Sequence, residues 1–203
     1  MILYDYVLSA SCYKVRLMAA LLGQPLTLWA VNFHPAREHK LPAMLTLNPN
    51  GTLPVLRDGD TILTESVDML RHLTADVPAW RGDDDRWLAL AADLNNSLGV
   101  ARMHDILQFD VDIDAARAAG VKHLRMLEAH LTDQRFDGRI FLAGDRPTIA
   151  DIACFPNTAL APDGGVSLDT YPSIRLWMRA IRSLPGFIEM PGIHRLHELE
   201  VAQ

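Results

Sequence analysis

The stretch Leu53-Pro54-Val55-Leu56-Arg57-Asp58-Gly59-Asp60-Thr61-Ile62-Leu63-Thr64-Glu65-Ser66 decides how the chain folds. Two short apolar runs, 53–56 and 61–64, flank an Asp-Gly pair, the signal of a β-hairpin. The period then changes. Over residues 65–75 the apolar positions are Val67, Met69, Leu70 and Leu73, which predicts a helix.

Working back from the hairpin, residues 1–6 (MILYDY) read as a short buried strand, followed by the polar turn Ser9-Ala10-Ser11. Residues 13–22 place Val15, Met18, Ala19 and Leu22 at helical spacing, and Gly23 closes that helix. Residues 26–31 (LTLWAV) read as a second strand, and 33–47 as a loop with an irregular helix. The order β-α-β-α-β-β-α gives a parallel pair joined by a crossover, with the hairpin as an antiparallel edge. It matches a thioredoxin-like α/β domain over residues 1–76.

Working forward, residues 76–84 hold Asp, Pro, Trp, Gly and the start of the run Asp83-Asp84-Asp85, which reads as a linker running into a first helical turn. Strand signals stop there. Trp87, Leu90, Ala91, Leu94 and Leu98 form one helical stripe. Val121, Leu124, Leu127 and Leu131 form a second, and Ile174, Trp177, Met178 and Ile181 a third. Residues 84–203 are therefore expected to form an all-α domain.

Composition narrows the function. With 203 residues, 49% of them hydrophobic, the chain can bury a core without staples. A net charge of -6 argues against nucleic acid as a partner. Its two cysteines, Cys12 and Cys154, are far apart and form no disulfide framework. The N-terminus lacks the basic and apolar regions of a signal peptide, and no apolar run reaches the ~18 residues of a membrane span. The reading is a cytoplasmic protein with no membrane partner and no metal.

Three local features carry chemistry. Pro54 opens a strand that should lie inside the sheet, where it lacks a ladder donor. One reading is an edge proline after a turn. The other is a cis Leu53-Pro54 bond that turns the Leu53 backbone outward to pair with an extended peptide. Glu65 and Ser66 sit at a helix start, where free N–H groups and the dipole hold a carboxylate while Glu65 takes an ammonium. The plainer alternative is a helix capped by Thr64. Ser9-Ala10-Ser11-Cys12 sits between the first strand and first helix. A hydroxyl there, beside a helix N-terminus, stabilises a ligand thiolate. Lowering a thiol pKa by two units takes roughly 2.7 kcal/mol. Ser9 is the best placed donor. The alternative makes Ser9 or Ser11 a simple N-cap and Cys12 a small buried hydrophobe.

Together, SASCYKVRLMAALLG (residues 9–23), Glu38-His39-Lys40, NPNGTLPVL (48–56) and LTES (63–66) resemble the N-terminal domain of cytosolic glutathione transferases. Arg146-Pro147-Thr148-Ile149-Ala150-Asp151 reads as a capping box and resembles one that the family carries in its helical domain. The resemblance implies a serine-type, bacterial-like member, with Ser9 as the thiolate-stabilising residue and Ser11 and Cys12 as runners-up. It implies glutathione contacts from His39 and Lys40 at the glycine end, and from Leu53 and Pro54 at the cysteinyl part. Thr52 stands where many members carry glutamine, and Glu65 and Ser66 take the γ-glutamyl group. It also implies a homodimer with glutathione as co-substrate, and a small hydrophobic electrophile between the domains. Tyr6, Val7 and Leu8 are expected on one wall, and Met103, His104, Leu107 and Phe109 on the other.

Ser9-Ala10-Ser11-Cys12 is also similar to the SSC run of zeta-type isomerases, with Ala10 breaking it. The competing functions are a thiol-disulfide reductase or peroxidase using Cys12, which the absent C-x-x-C disfavours, and a non-enzymatic module that kept the fold. His123 and His130 are scattered on predicted helices. His194 and His197 lie three apart and are read as solvated.

Overall fold

A computed structural model describes residues 1–82 and 84–193 of the chain. His194 and His197, and Asp83 of the acidic run, lie outside the described residues. Four strands, β1 (Ile2–Asp5), β2 (Thr27–Ala30), β3 (Val55–Asp58) and β4 (Thr61–Leu63), form one sheet in the order β2-β1-β3-β4. β1 pairs parallel with β2 through the crossover helix α1 (Ala10–Leu21), and antiparallel with β3. β3 and β4 form the hairpin expected from Asp58-Gly59. β2 is an edge strand with all four side chains exposed, Trp29 at 60%.

Pro54 does not interrupt the ladder. β3 begins one residue later, with Val55 opposite Tyr4, so the missing N–H falls outside the pairing. The Leu53-Pro54 bond is cis, as is His34-Pro35, which the sequence did not flag. Helices α2 (Pro42–Leu47) and α3 (Ser66–Leu73) complete the α/β part.

The remainder is helical: α4 (Asp85–Leu94), α5 (Val100–Leu107), α6 (Ile113–Phe136), α7 (Ile149–Ala159) and α8 (Pro172–Arg182). The first stripe predicts one helix, but a π-helical turn at Asn95–Gly99 separates α4 from α5. Ser97 Oγ donates to the Asp93 carbonyl (2.7 Å) and meets His123 Nδ1 at 3.1 Å. A side chain competing for a ladder acceptor is a known cause of such a break. Leu124, Leu127 and Leu131 of the second stripe are buried, as are Ile174, Trp177, Met178 and Ile181 of the third.

The capping box at α7 is present in full. Thr148 Oγ1 accepts from Ala150 N–H, and Asp151 Oδ2 accepts from Thr148 N–H at 2.8 Å. The box extends into a buried network. Asp151 Oδ1 accepts from Leu142 N–H (3.0 Å) and from the Trp177 indole (2.8 Å), and the Thr148 hydroxyl donates to Asp84 (2.6 Å). One carboxylate thus ties α7 to α8 and to the segment before α7. Burial raises the Asp151 pKa to about 6, against the pull of its three donors.

This fixes a sign. Asp151 binds its proton more tightly folded than unfolded. Its contribution is fully present below about pH 4 and is lost as pH rises through about 6. The stability advantage of wild type over Asp151→Asn is expected to shrink by roughly 3 kcal/mol between about pH 3 and about pH 7. Urea unfolding of both proteins at several pH values checks it; a constant gap would refute it.

Candidate functional site

α1 starts at Ser9, and its N-terminus faces the helical half. The Ser9 hydroxyl accepts from Cys12 N–H at 3.2 Å, which makes it the N-cap. That bond uses a lone pair only, so the hydroxyl remains a donor, within reach of the Cys12 thiol as well as of a ligand. Three hydrogen bonds hold the carbonyls of the preceding loop: Ser9 N–H donates to Tyr6 O (2.9 Å), Arg16 Nη2 to Val7 O (3.0 Å) and Arg102 Nη1 to Leu8 O (2.5 Å).

A cavity of about 360 Å³ opens beside Ser9, between the sheet half and the helical half. Of the residues expected there, Tyr6, Leu8, Ser9, Ser11, Thr52 and Leu53 line it from one side, and Met103 and Leu107 from the other. His104 does not join that wall. Its Nδ1 is 2.7 Å from Asp105 Oδ1. Phe109 lies beside Phe33, with ring centroids 6.1 Å apart. Sequence reasoning missed the polar wall: Asn95, Asn96, Arg102 and Asn157 all face the cavity. Asn95 Oδ1 accepts from Ser11 Oγ (3.4 Å) and Asn157 Nδ2 (3.5 Å). Their only signal in the sequence is polarity inside a helical stripe, and for Asn157 a polar residue on a helix that proves buried throughout. Burial raises the Tyr6 phenol pKa, while the Arg102 charge pulls it down.

The Asn48–Leu53 turn is organised by one buried amide. Asn48 Nδ2 donates to Thr52 O (3.0 Å) and Oγ1 (2.8 Å), and Asn48 Oδ1 accepts from Asn50 N–H (3.1 Å). Gly51 adopts φ +55, a conformation that favours glycine, and a Cβ there would sit 2.8 Å from the Lys40 side chain and 2.9 Å from that of Leu45, which would have to shift. Lys40 Nζ donates to Asn50 O (3.0 Å). His39 is buried, stacked on Phe33 at 4.1 Å, and its Nδ1 has no hydrogen-bond partner among the described residues. Burial, then Lys40 and Arg37, lower its pKa, so it is neutral at pH 7.

At α3 the N-cap is Glu65, not Thr64, and the Glu65 side chain makes no capping bond among the described residues. The exposed carboxylate and the first N–H groups of the helix are thereby left for a ligand.

Residues 3–81 match the glutathione S-transferase N-terminal domain, and residues 110–180 the glutathione S-transferase C-terminal domain. Glutathione S-transferase 3 of Zea mays is 32% identical over 170 residues, covering 73% of this chain and 74% of the relative. The chain belongs to the glutathione S-transferase family. Maleylacetoacetate isomerase of Pseudomonas aeruginosa is 29% identical over 197 residues, covering 91% and 92% of the two chains. The crystal structure of glutathione S-transferase from Pseudomonas fluorescens superposes with a TM-score of 0.81 at 29% identity, covering 94% and 98%. The architecture is the glutathione transferase fold, and the chain is a glutathione transferase rather than a Cys12-based reductase.

The thiols agree with that assignment. Cys12 and Cys154 are fully buried. Burial pushes the Cys12 thiol up to about 12, which overcomes its bonds to Ser9 and Tyr6, and raises Cys154 as well. Neither is a thiolate at neutral pH. Among the described residues no group of three or more His, Cys, Asp or Glu is placed to hold a metal, and no helix is long and apolar enough to cross a membrane.

An exposed cysteine reacts with Ellman's reagent within minutes. Here the native protein is expected to stay unlabelled at pH 8 and to react at both cysteines in denaturant. Rapid native labelling at Cys12 would return a role to that thiol.

Proposed function

We propose that this transferase activates glutathione through Ser9, with residues 1–76 holding the tripeptide and 84–203 supplying most of the electrophile wall. The observation that carries the reading is the Ser9 hydroxyl. It caps α1 as an acceptor, lines the cavity, and keeps its proton for a thiolate. The partly unsatisfied N-terminus of α1 adds a favourable dipole in the same direction. Glu65 and Ser66 hold the γ-glutamyl ammonium and carboxylate at the α3 start. Leu53 and Pro54 present backbone to the cysteinyl part, and His39, Lys40 and Thr52 stand toward the glycine end. The electrophile lies against Tyr6, Leu8, Met103 and Leu107, with His104 outside the cavity.

A cytoplasmic homodimer acting on a small electrophile is the working form. Static light scattering that returned the mass of one 22.6 kDa chain would count against the dimer.

A glutathione-dependent isomerase is the second reading, favoured by the near full-length match to maleylacetoacetate isomerase. Conjugation of 1-chloro-2,4-dinitrobenzene and isomerisation of maleylacetoacetate, assayed side by side, separate the two.

The test of Ser9 has to allow for its cap. Ser9→Ala removes both functions and costs about 1 kcal/mol of stability, whereas Ser9→Gly costs only a few tenths as a cap. Both variants are expected to lose about tenfold or more in kcat/KM for glutathione, the loss of a hydrogen bond to a charged group, with Ser9→Gly unfolding close to wild type. Wild-type turnover in Ser9→Gly would move the role to Ser11.

A further inference from the structure

Ser9 is aimed by the peptide unit that precedes it. That unit is planar, so the Leu8 carbonyl and the Ser9 N–H move as one body. The N–H is fixed within its own half by Tyr6 O at 2.9 Å. The carbonyl is fixed from the other half, by Arg102 Nη1 at 2.5 Å. Arg102 lies on α5, 94 residues further along the chain, and is itself buried. Its Nε donates to Asp163 Oδ2 at 3.0 Å. A rigid fork with separate donors makes both bonds at once.

The support behind Arg102 is built for close approach. Asp163 sits in the 3-10 turn Ala161–Gly164 that follows α7. A Cβ on Gly164 would lie 2.8 Å from Arg102 N and 3.0 Å from the Ala101 carbonyl carbon. The turn is locked from its far side by Arg117, whose Nε donates to Gly164 O (2.9 Å) and whose Nη2 pairs with Asp105 (2.7 Å). A matching arginine acts on the neighbouring carbonyl. Arg16 donates to Val7 O (3.0 Å), and its Nε is 3.3 Å from Asp5 Oδ1. Two consecutive carbonyls before Ser9 are thus each held by an aspartate-anchored guanidinium, one from each half.

We propose that Arg102, anchored by Asp163, is a positioning residue that fixes the Leu8–Ser9 peptide and so aims the Ser9 hydroxyl at the glutathione thiol. The proposal rests on the reading of Ser9 given above. A residue that only stabilised the domain contact would lower stability without acting through Ser9.

Two readouts on the full chain test it. Without glutathione, amide hydrogen exchange in Arg102→Met is expected to rise about tenfold or more across residues 7–12, with the sheet strands unchanged. With glutathione saturating, the pH profile of kcat/KM for the electrophile is expected to show the bound-thiol pKa raised by about one unit, a tenfold loss at neutral pH. The same substitution placed on Ser9→Ala is expected to add less than about twofold. Asp163→Asn keeps the guanidinium, loosens its anchor and carries both readouts at lower amplitude should Arg102→Met not fold. Unchanged exchange over residues 7–12, or an equal loss with and without Ser9, would overturn the proposal. A wild type that fails to bind glutathione while the exchange effect persists removes the functional reading and leaves the clamp supported.

Discussion

Much of this structure depends on α1 being packed from both sides. Ala10, Cys12, Tyr13, Lys14, Val15, Leu17, Met18 and Ala19 are all buried, because the helix packs against α3 in its own half and α7 in the other. A surface helix hides one stripe. This one joins two cores that are in fact a single cluster, running from Leu3 through Met18 to Phe155 and Trp177. The cost is visible at Lys14, whose burial pulls its pKa down to about 8. The return is that the N-terminus of α1, with Ser9 on it, is fixed relative to both halves.

In the role proposed for Ser9 that fixation matters, because stabilising a thiolate depends on geometry. A donor and a helix dipole help only where charge develops, and fixed groups need no reorganisation when it does. Ser9 therefore needs its backbone held as much as its hydroxyl present. The loop before it achieves this with hydrogen bonds at Tyr6, Val7 and Leu8, two of them from guanidinium groups.

Much of the fold was legible in the sequence because its signals are local. Asp58-Gly59 specifies the hairpin by turn chemistry, Ser9 caps α1 at a polar turn, and Thr148 with Asp151 closes a box three residues long. Each signal lies within a few residues of what it determines. The α3 cap went astray by one residue, Glu65 instead of Thr64, as helix boundaries commonly do. The π turn at Asn95–Gly99 was not legible. The apolar stripe runs through it to Leu98, and the break depends on Ser97 meeting Asp93 and a histidine on another helix.

The helical side of the cavity was legible only in part, for the same physical reason. Met103 and Leu107 are expected on this wall through the family resemblance, and both line the cavity. Asn95, Asn157 and Arg102 reach the cavity from three separate turns, and none of their partners is near in sequence: Ser11 and Asn157 for Asn95, Leu8 and Asp163 for Arg102. A polar residue in a helical stripe looks solvent-facing until the fold encloses it. Enclosed, it must be paired, and those pairings join the α5 side of the cavity to the turn that carries Ser9. The wall expected to be apolar is therefore mixed. Its polar side is also the side through which the helical half reaches the Ser9 loop, so changes to this wall are constrained by the same residues that hold the Ser9 loop in place.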